Sequence, residues 1–248
     1  MLKILKQMNN RREYYYPVVG YALLLALVWL CSWLADIAAT FMGGSLGVAS
    51  LVSSEGVRHA LRNAMPSLNS LPWGTIVMAI SAYGLLKGSG LISLCSHIAK
   101  RQKLTRNEVR SLLFSAVALS LYAAMLYAAT LAPWNMLGGV TGSLVNSPLM
   151  NGMPALLFLG TLVVAAVYGF MYGNYRSSLD VASSLGGSFP LFVPALLALL
   201  PASAIVASVD YMGLFALLEL DDTERNMIVA VFYLIPFMHT AVLKVKAE

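Results

Sequence analysis

The chain has 248 residues, of which 59% are hydrophobic and only 11% are charged, and its mean hydropathy is +0.75. Because a soluble domain carries about 25% charged residues, this composition excludes an ordinary soluble protein and predicts an integral membrane protein. The formal net charge of +5 is then expected to set the membrane topology, and it does not indicate nucleic-acid binding.

Six apolar segments predict membrane-spanning helices, since each approaches or exceeds the length of about twenty residues that crosses a bilayer. They cover roughly 17–41, 71–92, 109–132, 153–172, 188–217 and 226–243. The first segment follows the basic stretch Met1–Arg12 and lacks a small-residue cleavage site, which indicates a retained anchor. The sequence therefore predicts an all-α integral membrane protein with one polytopic domain over residues 1–248.

The basic residues of the linkers predict the orientation. One side of the membrane would receive twelve Lys or Arg and the other side three. The twelve are Lys3, Lys6, Arg11, Arg12, Lys100, Arg101, Lys103, Arg106, Arg110, Arg176, Lys244 and Lys246, and the three are Arg58, Arg62 and Arg225. Since cytoplasmic loops are enriched in Lys and Arg, we expect both termini to be cytoplasmic, in a bacterial-type inner membrane.

Two linkers carry further signals. In linker 42–70, Ser53 or Ser54 can cap a helix that has Val57, Leu61 and Met65 on one side, which predicts a short interfacial helix at the outer surface. Linker 133–152 has no charge and several turn-forming residues, and it is expected to be an ordered, non-cytoplasmic loop.

Two of the spanning segments have unusual composition. Segment 188–217 contains Pro190, Pro194 and Pro201 in its first half and Asp210–Gly213 in its second half. The internal prolines predict a bent or broken helix; broken helices occur along transport paths, but prolines also simply kink helices. In the stretch Leu71–Leu91, Gly84 and Gly88 lie four residues apart on one face. This spacing favours ordinary close helix packing, and we expect dimerisation through small-residue faces that include Gly84 and Gly88.

Four polar residues within or at the ends of apolar segments are candidates for a polar pathway. Asp36 and Asp210 either reach the membrane interface or belong to an ion path. Lys87 either extends toward the cytoplasmic surface or contacts a substrate carboxylate. His239 either shuttles protons or packs as a hydrogen-bonded residue.

Residue patterns for catalysis and for cofactor binding are missing. The sequence has no phosphate-binding loop, no HExxH, no Cys/His metal-ligand spacing and no nucleophile elbow. Two cysteines, Cys31 and Cys95, lie in or beside apolar runs and suit packing better than a disulfide or a metal site. We therefore expect neither an enzyme nor a bound cofactor.

Several short motifs occur in an order that resembles the AbgT family, the p-aminobenzoyl-glutamate transporters. Family members carry S-x-E-G-I-R, a P-L-G helix that ends in E-x-S-G-L, and then S-P-F-M, V-Y-G and S-D-K-D-V. The similar stretches here are Ser54–Arg58, Leu71–Gly74, Gly88–Leu91, Ser147–Met150, Val167–Gly169 and Ser178–Val181. Lys87 stands where the family often has glutamate.

The resemblance implies a reduced AbgT-like protein that keeps the family's inner, dimer-forming scaffold. It lacks the family's two hairpin-bearing regions that bind substrate and coupling ion, so no family binding residue is carried over. The family implies secondary transport of p-aminobenzoyl-glutamate or similar aromatic carboxylates, by a homodimer or with a partner membrane protein. The alternative is a non-transporting scaffold or accessory subunit of a membrane complex.

Overall fold

The computed structural model describes residues 13–42, 49–131 and 147–247, and this part of the chain is helical with no strand. The basic residues Lys3, Lys6, Arg11 and Arg12 and most of the predicted loop 133–152 lie outside the described residues. The helices are α1 Tyr16–Met42, α2 Ser54–Asn69, α3 Trp73–Ser89, α4 Leu91–Ala99, α5 Arg106–Leu131, α6 Pro148–Asn151, α7 Met153–Tyr172, α8 Ser178–Gly187, α9 Phe189–Tyr211, α10 Leu214–Leu217 and α11 Asp222–Ala247.

The all-α membrane fold is confirmed. Within the described residues, five helical stretches are long and apolar enough to cross a membrane, and the bent pair α3–α4 makes six if it is one span. The five are Tyr16–Phe41, Arg106–Thr130, Met153–Tyr172, Ser178–Tyr211 and Asp222–Lys244. The orientation with both termini in the cytoplasm stays a prediction.

Segment 188–217 is broken, as predicted, but the break lies at Gly213 and not at the prolines. Helix α9 continues through Pro194 and Pro201 to Tyr211, and the chain turns only afterwards, at Gly213 with φ +74°. By contrast, α3 and α4 meet at 73° around Gly90, whose φ is +90°. A positive φ favours glycine, so Gly90 turns the chain near the end of the predicted segment 71–92.

The chain divides into two compact units, one formed by residues 1–72 with 191–248 and the other by residues 73–190. In the first unit, Tyr21 of α1 packs with Ala198, Ala202 and Ile205 of α9. The Tyr21 hydroxyl donates to the Phe232 carbonyl of α11 at 2.7 Å. That carbonyl lacks its usual helical partner, because the residue four positions later is Pro236, which has no N–H.

The second unit is built around α3, α4 and α7, with a core of Leu85, Leu91, Leu94, Ala165 and Tyr168. Carbonyls released by the bend at Gly90 have partners within the unit. Asn174 Nδ2 donates to the Ser89 carbonyl at 2.7 Å, and the Ser89 hydroxyl donates to the Leu86 carbonyl at 3.2 Å. The bend is thus a satisfied feature of the packing, as buried backbone groups require.

The loop that follows α7 folds back onto α3. The Tyr175 hydroxyl donates to the Leu85 carbonyl at 3.1 Å, and burial raises the pKa of this phenol, so it remains a donor. Gly169 allows this return, because a methyl group there would collide with the Tyr175 ring. Helix α8 then begins with a capping box, in which Asp180 Oδ2 accepts from the Ser177 N–H at 2.9 Å.

The predicted amphipathic helix corresponds to α2, and Ser53 caps it by accepting from the Gly56 N–H at 3.0 Å. Val57, Leu61 and Met65 are exposed and form a stripe on the side away from the unit's core. Such a face suits the membrane interface. The packing role expected for Cys31 and Cys95 is wrong, because both side chains are exposed.

Candidate functional site

The first unit contains an elongated space between α2, α9 and α11, which we call the polar cleft. Its polar part is a cavity of about 240 Å³, and its apolar part is a cavity of about 160 Å³. Both parts are lined by His59, Asn63, Ser67, Ser203 and Ala207, so they adjoin. Concave sites that combine apolar walls with a few converging polar groups are typical of small-molecule binding.

Helix α2 contributes one polar face to the cleft. His59, Asn63 and Ser67 are spaced by four residues and therefore lie above one another along the helix. The start of α2 is held close to the preceding backbone, because a methyl group at Gly56 would collide with the Ser50 and Leu51 carbonyls. The result is a row of imidazole, amide and hydroxyl groups on a fixed element.

Helix α9 contributes small side chains and one carboxylate. Ser203, Ala207 and Asp210 follow each other at intervals of four and three residues, so they share a face. The short side chains of Ser203 and Ala207 leave room in the cleft. Asp210 supplies the negative charge, one residue before α9 ends at Tyr211.

Helix α11 contributes the positive charge through Arg225. Arg225 Nη2 lies 2.9 Å from Asp210 Oδ1, and the two side chains are 37% and 51% exposed. The guanidinium also lies over the Phe215 ring, 5.5 Å from its centroid. Ion pairs as exposed as this one contribute only about 0–1 kcal/mol, so the pair does not lock the cleft.

Aromatic side chains contribute to both parts of the polar cleft. His59 stacks on Tyr211 with ring centroids 4.2 Å apart, and Tyr233 lines the polar part. The apolar part is lined by Trp29 together with leucines from α1, α2 and α9. A guanidinium is a bidentate partner for carboxylates, and a tryptophan-lined wall suits an aromatic ring. The cleft can therefore hold a small amphipathic anion.

The structure brings one of the four candidate polar residues, Asp210, into the cleft. Asp36 is exposed on α1, and Lys87 is exposed on α3. His239 lies on α11 with its Nδ1 buried and without a hydrogen-bond partner among the described residues. These three residues do not line the cleft cavities.

Gly84 and Gly88 contact the chain's own helix α8. A methyl group at Gly84 would collide with the Ser184 carbonyl, and one at Gly88 would collide with the Ser184 hydroxyl. Gly84 is thus buried within the chain, whereas Gly88 is exposed. Dimerisation through this face stays a prediction.

Sequence reasoning missed His59, Asn63 and Arg225. The spacing of His59, Asn63 and Ser67 is a readable signal, because it places polar groups on the side of α2 opposite the apolar stripe. The pairing of Arg225 with Asp210 has no local signal, since α10 lies between them in the chain. Within the described ranges, no three His, Cys, Asp or Glu side chains are placed to hold a metal ion.

A comparison of the sequence with models of known protein families gives a match. The model of the AbgT putative transporter family matches residues 93–235, which is more than half of the chain. This range contains Ser147–Met150, Val167–Gly169 and Ser178–Val181, whereas Ser54–Arg58 and Leu71–Leu91 precede it. Searches of curated proteins and of solved structures gave no match. With its apolar helices and this match, the chain belongs to the AbgT putative transporter family.

Proposed function

We propose that the protein has a transport-related role on small aromatic carboxylates, such as p-aminobenzoyl-glutamate, in a bacterial-type inner membrane. The observation that carries the proposal is the polar cleft, in which Arg225 lies in the polar part and Trp29 in the apolar part. Family membership supports transport as the activity. The chemistry of the cleft supports an anion with an apolar body as the substrate.

The proposed binding mode follows from the lining residues. The substrate carboxylate would bind the Arg225 guanidinium, and the Asn63 amide would donate a hydrogen bond to its polar groups. The Ser67 hydroxyl donates to the Asn63 backbone carbonyl and would act as an acceptor. Its ring would lie against Trp29 and the neighbouring leucines. Each cavity is smaller than the roughly 300–1,000 Å³ of typical ligand pockets, which favours small substrates.

The test is uptake by the full chain reconstituted in proteoliposomes. We expect saturable uptake of radiolabelled p-aminobenzoyl-glutamate and none of p-aminobenzamide, which has the ring but no carboxylate. Arg225→Gln should remove the uptake, and Asp36→Asn, which changes an exposed carboxylate outside the cleft, should retain it. Equal uptake of the two compounds, or no uptake of either, would contradict the proposal.

Assembly forms part of the same proposal. The family resemblance supports a homodimer or a complex with a partner membrane protein, both embedded in the lipid bilayer. Native mass measurement after purification in mild detergent separates the two arrangements. Constant copurification with unrelated membrane proteins, together with absence of carboxylate binding, would instead support the alternative role as a scaffold or accessory subunit.

A further inference from the structure

The ion pair in the polar cleft occupies the guanidinium on which carboxylate binding depends. We propose that Asp210 is the counter-ion of Arg225 within the polar cleft, and that the ligand's carboxylate displaces it. This inference rests on the proposed function, because it takes the ligand to be a carboxylate. In this inference Asp210 competes with the ligand's carboxylate for Arg225. Its presence in the cleft is thereby explained, although its charge alone would repel the substrate.

The exposure of the pair makes displacement feasible. The contact joins Arg225 Nη2 to Asp210 Oδ1 at 2.9 Å, with the two side chains 37% and 51% exposed. A carboxylate that enters the polar part of the cleft can therefore reach the guanidinium. Exposed ion pairs are weak, so a ligand carboxylate that also gains hydrogen bonds and apolar contacts replaces the aspartate favourably.

The guanidinium keeps a second contact when Asp210 leaves it. Arg225 lies over the Phe215 ring at 5.5 Å, which is a cation–π arrangement independent of the aspartate. Among the described residues that line the polar part, Arg225 is the one Lys or Arg. The other titratable groups there are His59, which stacks on Tyr211, and Tyr233. A carboxylate in this cavity thus has Arg225 as its cationic partner.

Displacement also changes how two helices are connected. Asp210 lies near the end of α9, and Arg225 lies in the first turns of α11. The ion pair of Asp210 and Arg225 connects these two helices. After displacement, Arg225 of α11 binds the ligand, and the ionic contact with α9 is lost. The released end of α9 adjoins Gly213, whose φ of +74° marks the turn that follows. Ligand binding is thereby coupled to the connection between α9 and α11.

The test measures the dissociation constant of p-aminobenzoyl-glutamate for the full chain in nanodiscs of neutral phosphatidylcholine. Asp210→Asn removes the competing charge and keeps the shape, so we expect binding about fivefold tighter than in the unchanged protein. Arg225→Gln should weaken binding at least about tenfold, because it removes charge-assisted hydrogen bonds. Asp36→Asn is the matched control and should bind unchanged.

The outcomes separate this inference from the proposed function. Binding by the unchanged protein that weakens in Asp210→Asn would overturn the counter-ion role and leave the carboxylate site standing. Absence of binding in both the unchanged protein and Asp210→Asn would overturn the proposed function itself. Should Asp210→Asn fail to fold, Asp210→Ala removes the same charge and is expected to tighten binding as well.

Discussion

Replacing Gly84 with alanine should destabilise the second unit, although alanine is the better helix former. Gly84 lies within α3 and is buried against α8. A methyl group there would collide with the Ser184 backbone carbonyl and would lie 3.3 Å from the Ser188 hydroxyl. Because a backbone atom of a packed helix blocks it, the clash cannot be relieved by turning a side chain.

The magnitude follows from two opposed contributions. Alanine in place of glycine stabilises a helix interior by about 0.8–1 kcal/mol, whereas an extra methyl group in a packed core costs about 1–3 kcal/mol. Gly74 provides the matched control, since it lies in the same helix and nothing is within 4 Å of an added methyl group. The two contributions leave Gly84→Ala less stable than the unchanged protein by up to about 2 kcal/mol, and the collision with a backbone atom places it in the upper part of this range. Gly74 lies in the first turn of α3, where the helix contribution is small, so Gly74→Ala should be about as stable as the unchanged protein.

The assay is equilibrium unfolding of the full chain in mixed micelles with increasing denaturing detergent, followed by circular dichroism. The free energies of unfolding of the two variants are compared under identical conditions. Equal stability of Gly84→Ala and Gly74→Ala would refute the close packing of α3 on α8. Loss of helix content in both variants would instead point to a shared effect on α3.

Three smaller predictions concern single contacts. Tyr21→Phe should lower the free energy of unfolding by about 0.5–1.5 kcal/mol, because the Phe232 carbonyl loses its donor at 2.7 Å; thermal unfolding measures this. Asn174→Ala should lower the free energy of unfolding by about 1 kcal/mol in the same assay, because the Ser89 carbonyl at the bend loses its amide donor. A fluorescent label at Leu61→Cys, in a background without native cysteines, should be quenched by spin-labelled lipid; quenching only by aqueous iodide would contradict an interfacial α2.

The features that were predicted from the sequence are those with local signals. Helix α2 was predicted because a serine cap and the spacing of Val57, Leu61 and Met65 both lie within a few residues. The spanning helices were predicted because length and apolar content suffice to identify them. Both kinds of signal lie within a short stretch of sequence and do not depend on tertiary contacts.

The features that were missed depend on contacts between distant segments. The bend at Gly90 is stabilised by Asn174, which is 85 residues from Ser89 in the chain. Hydropathy reports only that segment 71–92 is apolar, so it does not indicate the bend at its end. The prolines indicate the broken segment correctly but not the position of the break, because α9 continues through Pro194 and Pro201 and ends only before Gly213.

The polar cleft combines residues from inside and outside the range that matches the family. Asp210, Phe215 and Arg225 lie within residues 93–235, whereas the α2 face with His59 and Asn63 precedes this range. The charged contact and its aromatic support thus belong to the family-matched part of the chain, and the uncharged polar lining of α2 belongs to the remainder. Under the proposed function, the charge of Arg225 would attract carboxylates in general, and the hydrogen-bonding side chains of α2 would discriminate among them.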